Sequence, residues 1–164
     1  MSPSQSANPK SAGEFDLTPP TANQLKTLAA ALTHEERDVL LDHATEAPFC
    51  GLLLDNKEAG VYCCKLCGLP LFAATRKFES GTGWPSFTAP YAAGHLKEIS
   101  DRSYGMMRTE IRCARCDSHQ GHVFPDGPPP GYRRYCINSV ALDFVRVGDK
   151  LHDKLGRNEA FIVE

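Results

Sequence analysis

Residues 60–68, GVYCCKLCG, place a short apolar run directly before a Cys-x-x-Cys pair formed by Cys64 and Cys67. Residues 106–116, MMRTEIRCARC, repeat the arrangement with Cys113 and Cys116. Two residues between thiolates let both sulfurs of a turn face one ion, and two such turns make a closed tetrahedral zinc site. Since the two pairs lie far apart in the chain, the ion would join distant loops of a sheet. We therefore predict a structural zinc site, with redox disulfides as the alternative.

The surrounding pattern predicts a mainly β fold. Beyond Pro48, short apolar or aromatic runs alternate with Gly and Pro, as in residues 69–78, 81–87, 121–127 and 134–145. Runs of this length separated by turn residues are typical of antiparallel sheets with long loops. The alternation of Val140, Leu142 and Phe144 predicts a central strand from Ser139 to Val147, with Cys136 at its start.

The first fifty residues differ from this pattern. Residues 1–20 are rich in Ser, Pro and Asn, which predicts a disordered tail. Leucines at three- and four-residue spacing predict a short helix from Thr21 to about Leu32. A capping-box pattern at Thr33 and Glu36 predicts a second helix that stops by about Ala44.

The bulk composition indicates one domain, over residues 21–164, and excludes several classes of protein. The 164 residues carry 18 Lys and Arg against 20 Asp and Glu, with no long basic run, which disfavours nucleic acid as a partner. No stretch is apolar for long enough to cross a membrane, and the N-terminus lacks the pattern of a secretion signal. We expect a soluble, cytoplasmic monomer, in which cysteines serve metal or redox chemistry.

Three further groups could carry chemistry. His119 and His122, in HQGHVFPDGPPP, are suited to acid–base work near neutral pH, although a packing role in a loop is possible. Asp126 could orient an imidazole or an arginine, or it could be a plain turn aspartate. Cys136 follows Arg134 by two residues, so a cation could favour its thiolate, but an inert strand cysteine has equal weight on this pattern alone.

Several motifs together resemble the methionine-R-sulfoxide reductases of the B type. They are KFESGTGWPSF (residues 77–87), the two cysteine pairs, HQGHVFPDGP (residues 119–128) and RYCINS (residues 134–139), and the resemblance runs from about Leu32 to Val145. It implies a zinc-containing β fold of two antiparallel sheets, of the β-tent or barrel type, with short N-terminal helices.

The resemblance also implies site residues and an activity. Cys136 matches the catalytic cysteine, Trp84 the indole of the methyl pocket, and His119 and His122 the paired active-site histidines. Residues matching those around the nucleophile are Phe124, Asp126, Arg134 and Asn138. The implied reaction reduces the R epimer of methionine sulfoxide, free or protein-bound, through a Cys136 sulfenic acid, with thioredoxin as the reductant.

The chain differs from many relatives in the position of the cysteine that could resolve the sulfenic acid. Many relatives carry the resolving cysteine at the position of Thr82, and threonine cannot form a disulfide. Cys50, in EAPFCG, is the preferred candidate because its position is unusual for a cysteine in relatives. Cys63 and direct reduction by an external thiol are the alternatives.

The rival class of protein is a zinc-ribbon binding module without catalysis. Such a module would explain the two cysteine pairs, but it would leave Trp84, the two histidines and Cys136 without a role. A zinc hydrolase is weaker still, because four thiolate ligands leave no open position for water.

Overall fold

The computed structural model describes residues 15–158 and 161–164, and it consists of two antiparallel sheets preceded by two short helices. The prediction of a mainly β fold with two such sheets is confirmed. The helices are α1 (Ala22–Ala30) and α2 (His34–Leu40). The strands are β1 (Gly60–Cys64), β2 (Pro70–Ala73), β3 (Lys77–Phe78), β4 (Ser86–Phe87), β5 (Leu96–Asp101), β6 (Arg108–Cys113), β7 (His119–Phe124), β8 (Arg134–Ile137) and β9 (Leu142–Arg146).

The smaller sheet has three strands in the order β2-β1-β9, and the larger has six in the order β3-β4-β8-β7-β6-β5. Aromatic rings fill the space between the sheets. Phe72 of the smaller sheet stacks on Phe87 of the larger one with ring centroids 4.3 Å apart, and Tyr62 meets the same ring at 5.1 Å. All three side chains are fully buried. Such pairs add about 0.5–1.5 kcal/mol each beyond the burial of their area, so this contact holds the two sheets together.

Both helices begin with a capping box. The Thr33 hydroxyl accepts a hydrogen bond from the Glu36 amide while the Glu36 carboxylate accepts one from the Thr33 amide, as the sequence predicts. Thr21 and Gln24 form the same reciprocal pair at α1, which the sequence analysis missed. Helix α2 ends at Leu40, within the predicted limit of about Ala44.

The predicted central strand from Ser139 to Val147 is wrong. Residues Ser139–Ala141 form a 3-10 turn, and only Leu142–Arg146 is extended, as the edge strand β9 of the smaller sheet. Cys136 lies inside β8 of the larger sheet rather than at the start of that strand. The turn therefore carries the chain from one sheet to the other, and apolar alternation cannot show such a change of sheet because both strands face the shared core.

The structure describes only the last part of the predicted disordered tail, from Phe15 onwards. Residues 1–14 lie outside the described residues, whereas Phe15 is buried and packs edge-on against His95 with ring centroids 5.2 Å apart. The packed chain thus includes residues before the expected boundary at residue 20. Among the described residues, no helix has the length and apolar character needed to cross a membrane.

Candidate active site and metal centre

The four paired cysteines converge at one buried point. Cys64 ends β1 of the smaller sheet and Cys113 ends β6 of the larger, so each pair begins at a strand terminus. Cys64 Sγ lies 3.5 Å from Cys116 Sγ, Cys67 Sγ lies 3.7 Å from Cys113 Sγ, and all four sulfurs are within 4.8 Å of one another. A tetrahedron of Zn–S bonds of about 2.3 Å has edges of about 3.8 Å, so this cluster fits a tetrahedral ion.

The two turns have the same backbone shape. After Cys67, Gly68 has a φ of 90° and its amide donates to the Cys64 carbonyl at 2.8 Å. After Cys116, Asp117 has a φ of 66° and its amide donates to the Cys113 carbonyl at 2.9 Å. A left-handed residue closes each turn and keeps both sulfurs on one side. None of the cysteines is in a disulfide, so the redox-disulfide alternative is not the observed state.

Buried donors surround the sulfurs. The Arg115 guanidinium is buried, and its Nε donates to Cys67 Sγ at 3.4 Å while Nη1 donates to Asp153 at 2.9 Å. Gln120 Nε2 reaches Cys64 Sγ at 3.6 Å. Donors of this kind stabilise negative sulfur ligands, which agrees with four thiolates that hold a metal ion.

A separate pocket contains the isolated cysteine. Cys136 lies opposite Ser86 of β4 on one side and His122 of β7 on the other. A Cβ at Gly121 would lie 2.0 Å from the Cys136 carbonyl oxygen, so only glycine lets β7 approach β8 this closely. The residues lining the pocket are Thr45, Trp84, Arg108, Gly121, His122, Phe124, Cys136 and Asn138. The pocket therefore brings together five of the residues predicted for the active site.

The Cys136 thiol is half-buried, and opposing effects act on its ionisation. Burial raises its pKa, while the Arg134 guanidinium and a hydrogen bond with the Thr82 side chain oppose the rise without cancelling it. The protonated thiol is thus the main form of the resting protein near neutral pH, and attack on a substrate requires that this proton move elsewhere.

The two histidines occupy different places. His122 lines the pocket beside Cys136, and its Nε2 lies 2.8 Å from the Asp101 carboxylate. His119 is buried behind His122, and the centroids of the two rings are 5.6 Å apart. The Nδ1 atom of His119 lies 2.7 Å from the Glu110 carboxylate. Burial lowers the pKa of His119, partly opposed by Glu110. His122 is therefore the imidazole that a pocket ligand meets first.

Arg134, Phe124 and Asp126 form one unit at the pocket edge. Arg134 donates to both carboxylate oxygens of Asp126, at 2.8 and 3.2 Å, and its guanidinium lies 4.5 Å from the centroid of the Phe124 ring. Of the three interpretations of Asp126, these contacts agree with the one in which it orients an arginine. This arrangement keeps a fixed positive charge near Cys136.

Asn138 and Trp84 are both held by Glu46. The Asn138 side-chain oxygen accepts from the Glu46 amide at 2.9 Å, and the Trp84 indole donates to the Glu46 carbonyl at 3.0 Å. The buried Glu46 carboxylate accepts from the amides of Ser139 and Val140, at 2.7 and 2.9 Å. Burial nevertheless raises the pKa of Glu46. One residue thereby joins the N-terminal segment, the indole and the turn after β8.

The remaining cysteines lie outside this pocket. Cys50 is exposed, and the preceding Phe49 amide donates to the Gly83 carbonyl at 2.7 Å, which places this segment against the loop that carries Thr82 and Trp84. Cys50 lines a neighbouring pocket rather than that of Cys136. Cys63 is buried in β1, where burial raises its pKa well above the ordinary value. Of these two cysteines, Cys50 is the accessible one.

A family model described as SelR domain matches residues 32–146 of the chain. The chain belongs to the SelR family. Two similar proteins named peptide methionine sulfoxide reductase MsrB come from Caulobacter vibrioides (strain NA1000 / CB15N) and Xylella fastidiosa (strain M23). They are 64% and 59% identical over 145 residues, which is 88% of this chain and 91% and 94% of theirs. One from Pseudomonas fluorescens (strain Pf0-1) is 54% identical over 121 residues, 74% of this chain and 92% of that protein.

Membership in the SelR family confirms the resemblance seen in the motifs. The protein is an oxidoreductase of the methionine sulfoxide reductase type, so the binding module without catalysis is rejected.

Sequence reasoning missed several polar residues of this SelR site. Asp101 contacts the His122 ring, and Glu110 contacts the rings of both His119 and His43. Arg108 lines the pocket, and Glu46 anchors the indole. His43, with a φ of 61°, stacks on His119 and contacts Glu110 at 2.9 Å. The sequence signal was limited to β6, in which the charged residues Arg108, Glu110 and Arg112 occupy alternate positions. That pattern is equally typical of a solvated sheet face.

Proposed function

We propose that this protein reduces the R epimer of methionine sulfoxide, free or within oxidised proteins, with Cys136 as the nucleophile and a structural zinc ion held by Cys64, Cys67, Cys113 and Cys116. The names of the similar proteins supply the substrate class. The observation that carries the proposal is that Cys136, Trp84 and His122 line one pocket, whereas the four paired cysteines form a closed cluster elsewhere. A closed thiolate site offers no position for a reacting ligand, so the reaction belongs to the pocket.

The reaction needs a soft nucleophile and a proton donor. The Cys136 sulfur attacks the electrophilic sulfoxide sulfur, and two electrons pass from the cysteine to the substrate. This attack forms an S–S bond to the substrate sulfur, and the thiol proton is transferred to the sulfoxide oxygen. The S–S bond and the substrate S–O bond then break as the protonated oxygen passes to Cys136, which leaves a Cys136 sulfenic acid and the neutral thioether methionine. Atoms and electrons balance without a further reactant, and the weakly acidic thiol explains why proton transfer must accompany the attack.

In this proposal His122, which lines the pocket, donates a proton directly to the sulfoxide oxygen. His119 supports it from behind, through the ring contact and the Glu110 hydrogen bond. Arg134, fixed by Asp126, favours the developing thiolate. Asn138 orders the backbone beside the nucleophile by joining Glu46 to the Gln120 carbonyl.

Trp84 and Phe124 supply apolar surface for the methyl group on the substrate sulfur. The Trp84 indole is fixed by its hydrogen bond to the Glu46 carbonyl, so its ring presents a constant wall. With the oxygen directed to His122 and the methyl group to this wall, one configuration at sulfur suits attack by Cys136 better than the other.

The best test of this function compares the two epimers. The protein is incubated separately with the R and S forms of methionine sulfoxide, with thioredoxin and its reductase as the electron source, and NADPH oxidation is followed. We expect turnover of the R form only. Turnover of the S form alone, or of neither form by folded and zinc-loaded protein, would contradict the proposal.

Cys50 is the proposed resolving thiol, and thioredoxin the proposed reductant. Thr82 cannot form a disulfide, and Cys63 is buried in the other sheet. Condensation of the Cys136 sulfenic acid with the Cys50 thiol releases water and forms a disulfide, which a dithiol then reduces. Because a disulfide requires sulfurs about 2 Å apart and the two thiols line different pockets, the segment around Cys50 must move after oxidation.

Replacing Cys50 with Ser should separate the two half-reactions. Single turnover with one equivalent of substrate should remain, whereas steady-state turnover with thioredoxin should fall by at least about tenfold, because resolution loses its intramolecular thiol. Mass spectrometry should detect a disulfide between residues 50 and 136 in the wild type and none containing Cys136 in C50S. C63A is the matched control and should turn over normally. A Cys136 disulfide in C50S would exclude Cys50 as the partner.

The setting proposed for this activity is the cytoplasm, with the protein as a monomer. A reducing compartment keeps the sulfurs of the metal cluster and of Cys136 unpaired, and the absence of a long basic run leaves nucleic acid without an evident binding surface.

A further inference from the structure

Asp101 contacts the pocket histidine without lining the pocket itself. It is the last residue of β5, at the edge of the larger sheet, whereas His122 lies in β7, two strands away. The Asp101 Oδ2 is nevertheless 2.8 Å from His122 Nε2, and both side chains are largely buried. The side chains therefore reach each other across β6.

Hydrogen bonds from its neighbours stabilise the ionised form of Asp101. The Ser103 amide donates to Oδ1 at 2.9 Å, and Arg108 Nη2 lies 3.3 Å from Oδ2. The hydrogen bonds from Ser103 and from His122 hold the pKa of Asp101 well below its usual range. Asp101 is consequently an anion throughout the pH range in which enzymes of this type are assayed.

An ionised carboxylate can only accept hydrogen bonds, so the short contact determines which ring nitrogen of His122 carries a proton. Nε2 must donate to Asp101. In the described part of the chain, Nδ1 has no hydrogen-bonding partner, and it is therefore the nitrogen available to a pocket ligand. Protonation at Nδ1 then creates an imidazolium that can donate to an oxygen in the pocket while Asp101 stabilises its charge.

We propose that Asp101 is a positioning residue that holds His122 with Nε2 protonated and Nδ1 free, and that it stabilises the imidazolium that donates to the sulfoxide oxygen. This inference rests on the function proposed above. Asp101 itself touches neither the substrate pocket nor Cys136, so it acts through the imidazole.

The other charged or titratable groups around His122 come from three strands. Glu110 of β6 is its backbone partner, Cys136 of β8 is its partner on the other side, and His119 lies in the same strand. Arg108 reaches Asp101 from β6. Glu110 is already engaged by Arg112 and His119, so Asp101 is the carboxylate that contacts the His122 ring.

The test compares Asp101→Asn and Asp101→Glu with Glu98→Gln. Glu98 lies on the same strand and pairs with Arg133 at the surface, so E98Q removes a carboxylate without touching the site and should behave as the wild type. For methionine-R-sulfoxide, D101N should lower kcat by roughly 10- to 100-fold with little change in KM. The alkaline decline of kcat/KM should move to lower pH, because an imidazolium without its anionic partner loses its proton more easily. D101E should restore part of the rate.

A second measurement does not depend on turnover. Nitrogen-15 NMR of the resting, zinc-loaded protein should show the neutral His122 ring protonated at Nε2 in the wild type and in E98Q, and a mixture of tautomers in D101N. If D101N keeps both the wild-type ring protonation and the wild-type pH profile, Asp101 merely supports the Ser103–Gly105 turn and the assignment is wrong. Wild-type protein that reduces neither epimer would contradict the proposed function, while the NMR result would still decide the tautomer.

Discussion

Replacing Cys136 with Ser should abolish reduction of methionine sulfoxide, including the first turnover. A serine hydroxyl is a poor nucleophile towards sulfur and cannot form the sulfenic acid, so the rate should fall by more than about 10⁴-fold, on the scale of nucleophile losses in other covalent catalysts. The change removes no backbone contact of β8, since Cys136 pairs with Ser86 and His122 through its backbone. The measurement is methionine released from one equivalent of the R epimer in a rapid-quench experiment.

The matched control for C136S is C50S, which loses an accessible thiol and should still release methionine in this experiment. Both variants should retain bound zinc and the wild-type melting temperature, because neither side chain belongs to the four-cysteine cluster. Methionine release by C136S at the rate of C50S would show that the nucleophile is a different residue.

Removal of the metal ion should unfold the protein rather than simply inactivate it. The cluster joins the end of β1 in the smaller sheet to the end of β6 in the larger one, so a bound ion fastens the two sheets to each other. Structural zinc sites contribute roughly 10–16 kcal/mol of apparent binding free energy in small domains. That exceeds or equals the total stability of most domains, about 5–15 kcal/mol. Cys64→Ser should therefore lose zinc and the cooperative thermal transition seen by circular dichroism.

Cys63→Ala is the control for C64S because the two cysteines are adjacent, both are buried, and only Cys64 belongs to the cluster. C63A should bind one zinc ion per chain and melt cooperatively, with the modest loss of stability expected of a small core substitution. A C64S protein with the wild-type zinc content and melting temperature would mean that the cluster is not a structural metal site.

Local patterns predicted much of this molecule. Features that depend on residues only a few positions apart could be predicted from spacing alone. They include each Cys-x-x-Cys turn, the capping box at Thr33 and the short apolar runs that form strands. Several motifs together, including the one around Cys136, likewise indicated the family, because their residue types are specific in combination. The sheet assignment of residues 139–147 failed, since both sheets share one apolar core and the alternation is the same on either side of it.

The sequence by itself determined the family and the mainly β class, and it predicted that four metal-type cysteines are separate from one reactive cysteine. Only the tertiary structure decided which histidine faces the pocket, that Asp101 and Glu110 hold the two rings, and that Glu46 ties the indole to the turn after β8. These contacts join residues that are distant in sequence or lie on neighbouring strands. Their geometry depends on strand order and register, which no local spacing of residue types encodes.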